Sequence, residues 1–117
     1  MLVTTGNDIV GHEIGGYLGI ARGIVVRAPT ISQGFAAGLQ RLAGGNIEAY
    51  AEVCEMARQQ AYQRMVQHAL QMGADAVIGM RYDATEFAEG VTEVLAYGTA
   101  VKLANPPQSE GIEIITK

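Results

Sequence analysis

Residues 46–80, NIEAYAEVCEMARQQAYQRMVQHALQMGADAVIGM, constrain this chain more than any other stretch. The pattern predicts one long helix, a glycine stop and, directly after it, a buried strand. Asn46 suits the N-cap, and Glu48 and Glu52 sit in the first turns, where negative charge favours the positive end of the helix dipole. At ~100° per residue, Tyr50, Cys54, Ala57, Ala61, Met65, His68 and Met72 share a face, flanked by Ile47 and Val53. Glu48, Glu52, Glu55, Gln59 and Gln63 lie opposite. In the second half Tyr62, Val66 and Leu70, continuous with Ala69, form another apolar row. One sheet covers one flank of such a helix. The second row, Tyr62, Val66 and Leu70, is therefore expected to meet a neighbouring subunit.

The remaining elements follow from composition and turn chemistry. Leu2–Thr5 is β-prone and is followed by the turn-forming Gly6-Asn7-Asp8. Ile14 to Ala28 carries β-branched residues with Gly at 15, 16, 19 and 23, which predicts a bent or bulged strand closely approached by another backbone. Pro29 ends it. Residues 34–43, GFAAGLQRLA, read as a short helix closed by Gly44-Gly45. Gly73 suits a left-handed helix stop. From Ala74 to Asp83 alternation puts Ala76, Ile78, Met80 and Tyr82 on one face, Val77, Gly79, Arg81 and Asp83 on the other. Residues 84–90 read as a hairpin loop. Val91 to Leu103 is the last long strand, with Val91, Leu95, Tyr97, Val101 and Leu103 sharing a face. Asn105 to Gly111 holds Pro106-Pro107 and reads as linker, and Ile112 to Ile115 as a short stray strand.

This order gives an α+β fold: a small, largely antiparallel sheet packed on one long helix. The other face of that sheet is left bare, and self-association is the simplest cover for it. Composition agrees. The chain of 117 residues is 49% hydrophobic and only 17% charged, a charge-poor surface that suits an oligomer. A net charge of −4 with scattered Lys and Arg gives no cation cluster for a phosphate backbone, so nucleic acid is not an expected partner. One cysteine excludes an intrachain disulfide framework and fits a reducing cytoplasm. No apolar run approaches the ~20 residues that span a bilayer, so no membrane partner is expected.

Laid out this way, the chain resembles the YbjQ-type family, which carries a heavy-metal-binding label. The resemblance lies in Thr4-Thr5, Gly11-His12-Glu13-Ile14, Leu18-Gly19-Ile20 and Gly23-Ile24-Val25-Val26. It continues in Gly44-Gly45, Tyr50, Ala57-Arg58, Ala61, Met65, Ala69, residues 73–79 and Gly98-Thr99-Ala100-Val101. It covers about residues 1–103 as one domain and leaves 104–117 as a tail. The resemblance implies a strand–helix–strand–strand subunit similar to that of dodecin, assembled as a ring-like homopentamer. The family has no established biochemical role, and the expectation drawn for this chain is a binding or scaffold module with an unidentified ligand. One departure stands out: members carry an Arg-Asp pair ahead of Phe-Ala, whereas Gln33-Gly34 precede Phe35-Ala36 here.

Metal chemistry has three soft-ligand candidates, Cys54, His68 and His12. Cys54 and His68 lie near one helix face. Fourteen positions at ~1.5 Å each, however, put them about 21 Å apart along the axis. Ligand bonds are ~2.0–2.3 Å, so the two cannot hold one zinc or copper ion within a chain. A site shared between subunits is the alternative. The plainer expectation makes Cys54 a small buried hydrophobe and His68 a hydrogen-bonded core or interface residue, with no cofactor. The acidic residues Asp83, Glu86, Glu89 and Glu93 are expected to be solvated. Ser32 and Ser109 sit in no nucleophile motif, and no glycine pattern makes a phosphate loop, so an enzyme is not expected.

Overall fold

In the computed structural model, which describes residues 1–27, 47–88, 90–105 and 115–116, the elements alternate as the pattern of the chain demands. They are β1 (Leu2–Val3), β2 (Ile14–Arg27), α1 (Ile47–Gln71), β3 (Ala76–Ala88), β4 (Val91–Leu103) and β5 (Ile115–Thr116). Three long antiparallel strands form the body of one sheet, in the order β2-β4-β3-β1-β5. The short β1 pairs in parallel with both β3 and β5. The fold is α+β, as expected, and α1 lies across one sheet face, chiefly on β2 and then β4. The expected short helix, the Asn46 cap and the Pro106-Pro107 linker fall outside the described residues.

The helix covers the sheet with a broad stripe. Ala57, Ala61, Met65 and Ala69 are buried, and so are Tyr62 and Val66, with Leu70 packed against the same cluster. Facing them are Ala21 and Val25 of β2, Val77 and Met80 of β3, and Val94, Ala96 and Ala100 of β4. Ala61 and Met65 lie over Gly23 on β2. Tyr62 reaches across towards Tyr82 on β3. The second apolar row therefore belongs to the chain's own core, and its assignment to a subunit contact is corrected for Tyr62 and Val66. A helix seated on small residues sinks far enough into the sheet for both rows to be covered.

The helix approaches β2 so closely that a Cβ on Gly23 would lie 2.1 Å from the Ala61 carbonyl oxygen and 2.4 Å from the Met65 nitrogen. No side chain fits there. On the other side of the sheet centre, Gly79 has φ +61° and marks a register shift between Ile78 and Arg81. The extra residue reverses the alternation, so Ala76 and Ile78 face one way while Met80 and Tyr82 join Val77 beneath the helix. The expected common face of Ala76, Ile78, Met80 and Tyr82 is thus broken at the bulge. Gly73 ends α1 with φ +82°, as the sequence indicates.

β3 also runs further than its sequence suggests. Residues 84–88 continue the ladder, with Ala84 opposite Val94, Thr85 opposite Glu93 and Glu86 opposite Thr92. This arm projects past the core, exposed along residues 84–88, and β4 supplies the hydrogen bonds that keep it extended. The stray strand anticipated at 112–115 sits at Ile115–Thr116, beside β1.

Among the described residues, the other sheet face is covered only at one end. There Ile9, Ile14 and Leu2 pack on Ala76, Ile78, Val101 and Leu103. We expect Gly23→Ala to lower the unfolding free energy by about 3 kcal/mol in urea titration, since its methyl meets helix backbone rather than a yielding side chain. Gly16→Ala meets nothing within 4 Å and should change stability by less than about 0.5 kcal/mol.

Candidate functional site

β2 is an edge strand, and an edge exposes unpaired backbone groups. Three side chains of α1 at i, i+4 and i+8 close it. Gln60 Oε1 accepts a hydrogen bond from Arg27 Nη2. Arg64 Nη1 donates to the Ile24 carbonyl at 2.6 Å. His68 Nδ1 accepts from the Arg22 N–H at 3.0 Å. His68 is thus hydrogen-bonded to the backbone of β2, and the helix fastens the strand by its polar row while covering it with its apolar one. A groove of about 430 Å³ follows this seam between Arg22–Ile24 and Arg64–Gln71.

Cys54 is exposed, which corrects the expectation of a buried hydrophobe. β2 ends at Arg27, abreast of Gln60. The turn carrying Cys54 has already passed the end of that strand, whereas Ala57, the next residue on its face, is buried. Nearby, the Arg58 guanidinium lies 5.6 Å from the centre of the Tyr82 ring. Burial raises the Tyr82 phenol above its ordinary value; Tyr62 and Glu55 add to the rise and Arg58 opposes it.

His12 stands apart from both. It closes the turn that begins at Ile9, its N–H donating to the Ile9 carbonyl at 3.1 Å, and its Nδ1 is buried with no partner. That turn lies over a pocket of about 320 Å³. The three soft-ligand candidates therefore sit on the outer side of the helix, on the β2 seam and in the N-terminal turn. Among the described residues no three of His, Cys, Asp and Glu come together as a metal would need.

The part of the sheet that the described residues leave uncovered is defined by its register. Across β2, β4 and β3, Arg22, Tyr97 and Arg81 form one row, and Ile24, Leu95 and Asp83 the next. Val26, Glu93 and Thr85 follow, and Ile20 lies beyond Arg22 beside Thr99. Ile20 is 63% exposed, Ile24 40%, Val26 38% and Tyr97 36%. Sequence reasoning foresaw a bare face in need of cover but named interface residues only on the helix. The pairing Arg22–Tyr97–Arg81 depends on the bulge at Gly79, which a single sequence does not reveal.

Asp75 was also passed over in the sequence. Its carboxylate accepts the Leu103 N–H at 2.9 Å and lies 3.7 Å from Lys102 Nζ, tying the start of β3 to the end of β4. Its signal was the carboxylate directly before an apolar strand.

Two substitutions separate core from surface. Val66→Glu buries an unpaired charge and should cost about 4 kcal/mol or more, seen as loss of folded signal in circular dichroism. Cys54→Ala should change stability by less than about 0.5 kcal/mol, and the native thiol should react with an aromatic disulfide reagent without denaturant.

The sequence profile of the YbjQ-type family, described as putative heavy-metal-binding, matches residues 1–104. A UPF0145 protein of Burkholderia thailandensis is 58% identical over 101 residues, covering 86% of this chain and 91% of that protein. UPF0145 proteins of Burkholderia mallei and Burkholderia pseudomallei match at the same level. The crystal structure of a Pediococcus pentosaceus protein of unknown function from the DUF74 family shares the fold, at a TM-score of 0.58 and 20% identity, covering 88% of this chain and 97% of that one. Profile and relatives agree over nearly the whole span of β1 to β4, and the chain belongs to this YbjQ-type, UPF0145 family.

Proposed function

We propose that this protein is a small cytoplasmic homo-oligomeric binding module, a ring of five copies, and not an enzyme. The observation that supports the reading is the sheet face that the described residues leave uncovered. Ile20, Ile24, Val26, Leu95 and Tyr97 form an apolar band there, and both charge signs lie within it. Arg22 and Arg81 occupy one row, while Asp83 and Glu93 occupy the next two. A second copy supplies both the apolar cover and the opposite charges, so identical surfaces are complementary partners. No helix among the described residues is long and apolar enough to cross a membrane. The dispersal of Cys54, His12 and His68 supports binding rather than catalysis, and His68 is already engaged with the β2 backbone.

The family description favours a second reading, a heavy-metal site built from several copies. The exposed Cys54 is the residue that a ring would repeat for this purpose. Native mass spectrometry of untagged protein distinguishes the two readings. We expect a closed oligomer whose mass is protein alone. A tightly held zinc or copper that is lost in Cys54→Ala would favour the shared metal site instead. Ile24→Glu should retain the circular dichroism of the fold and reduce the mass in light scattering. A wild-type chain that is monomeric at micromolar concentration, or an Ile24→Glu variant of unchanged mass, overturns the oligomer.

A further inference from the structure

The two outer edges of the three long strands carry opposite charges. On the β2 side, Arg64 reaches from α1 to the Ile24 carbonyl, and Arg27 follows on the strand with its Nη2 donating to Gln60. On the β3 side stand Glu86 and Asp83, whose Oδ1 accepts the Ala84 N–H at 2.9 Å. The register sets these groups level with one another. Ile24, Leu95 and Asp83 form one row across the sheet, and Arg27, Thr92 and Glu86 form another. Each row therefore has a cation at its β2 end and a carboxylate at its β3 end.

Arg64 and residues 81–88 are exposed. Among the described residues, Arg64, Asp83 and Glu86 take part in no ion pair. Within one chain β4 separates the two ends of a row by two strand spacings, about 10 Å. Between copies set side by side, the β2 end of one row meets the β3 end of the neighbour's, and both rows match at once. A five-membered ring requires such a contact, because each copy offers unlike surfaces to its two neighbours. We propose that adjacent copies join edge to edge, with Arg64 and Arg27 of one copy against Asp83 and Glu86 of the next. This rests on the oligomer reading and names the surfaces that close the ring beside the shared apolar face.

Shape and hydrogen bonding agree with this joint. Ala84, opposite Val94 on the helix side of the sheet, is small and exposed and leaves room for the neighbour's overhanging Gln60 and Arg64. Arg64 and Asp83 each cap a backbone group at a strand edge, so the copies meet through side chains rather than through a continued ladder. A guanidinium has five N–H donors and a carboxylate about four acceptor positions, so both can still pair. The joint ends at the next row, Arg22–Tyr97–Arg81, which has an arginine at both ends. There Arg81 is turned to the Thr5 carbonyl at 2.7 Å.

The test reverses charge on one edge at a time in the full-length protein. Mass is read by native mass spectrometry and light scattering, and folding by circular dichroism. Arg64→Glu and Asp83→Arg should each raise the concentration of half-dissociation at least about tenfold, because each sets like charges against one another. Glu86→Arg should act in the same direction, and Glu86 makes no hydrogen bond or ion pair among the described residues whose loss could disturb the fold. The combined Arg64→Glu, Asp83→Arg chain should regain the wild-type mass. In a mixture of the two single variants only unlike copies match, and strict alternation cannot close a ring of five. The mixture should therefore give assemblies with equal numbers of each variant. Unchanged mass in both Arg64→Glu and Glu86→Arg overturns the edge joint and leaves the oligomer standing, as does a combined variant no larger than the single ones. A wild-type chain that is monomeric at micromolar concentration overturns the oligomer itself, and the edge joint with it.

Discussion

The contact between Gly23 and the middle of α1 sets the geometry on which the rest of the structure depends. With Ala61 backbone where a Cβ would be, the helix axis is drawn to β2 rather than centred over the sheet. Two consequences follow from that offset. The polar row Gln60, Arg64 and His68 hangs over the outer edge of β2, where Arg64 and His68 meet its free backbone groups and Gln60 meets the Arg27 guanidinium. On its inner side, Tyr62 and Val66 reach inwards and complete the core against β3 and β4. Edge strands invite pairing with other chains, and here one helix supplies both the cover and the hydrogen bonds that discourage it.

The bulge at Gly79 is the counterpart of that contact on β3. Before it, Val77 faces the helix and Ile78 faces away; after it, Met80 and Tyr82 face the helix. The backbone of the bulge is held from the side by the N-terminal segment. The Gly79 N–H donates to the Gly6 carbonyl at 2.8 Å and the Met80 N–H to the Thr4 carbonyl at 3.0 Å. Arg81 reaches the Thr5 carbonyl at 2.7 Å with its guanidinium. The segment that fixes the bulge is the same one that continues into the Ile9–His12 turn. The pocket is therefore anchored to the most constrained part of the sheet, although the turn itself lies on the surface.

Long, strongly patterned elements were legible in the sequence. The helix from 47 to 71, its glycine stop and the strand from 91 to 103 follow from periodicity and turn chemistry, because their local preferences agree with the fold. What escaped notice depended on distant partners. Periodicity gave α1 two apolar rows, yet only the offset at Gly23 decides that both fit on one sheet. Cys54 shares an angular position with Ala57 and Ala61, but its burial depends on where β2 ends. The arm at 84–88 looked like part of a hairpin loop because of its length between two patterned strands, whereas pairing with β4 makes it strand. His12 was visible as a candidate ligand. Its orphaned nitrogen was not, because it arises from the folding of Leu2 and Ile9 around the turn.

The composition of the buried face explains why the exposed face is apolar. Beneath the helix, Ala21, Ala96 and Ala100 meet Ala57, Ala61 and Ala69, with Gly23 and Gly98 between them. Gly98 is constrained too, though less than Gly23, since a Cβ there would lie 2.6 Å from Val77 Cγ1 and 3.0 Å from the Ile78 carbonyl oxygen. Small residues permit close backbones and dense packing, but each withdraws little apolar area from water, and burial stabilises by only about 25 cal/mol per Å². A single helix–sheet layer of this kind therefore has a small hydrophobic contribution for its length. The larger β-branched and aromatic side chains of β2 and β4, Ile20, Ile24, Val26 and Tyr97, point the other way. The apolar area that would most stabilise the subunit thus lies on its surface. Covering it would link folding to association, so that stability rises with protein concentration. The close fit that Gly23 enforces within the chain and the bare face on its other side are then two results of one choice of residue size along β2.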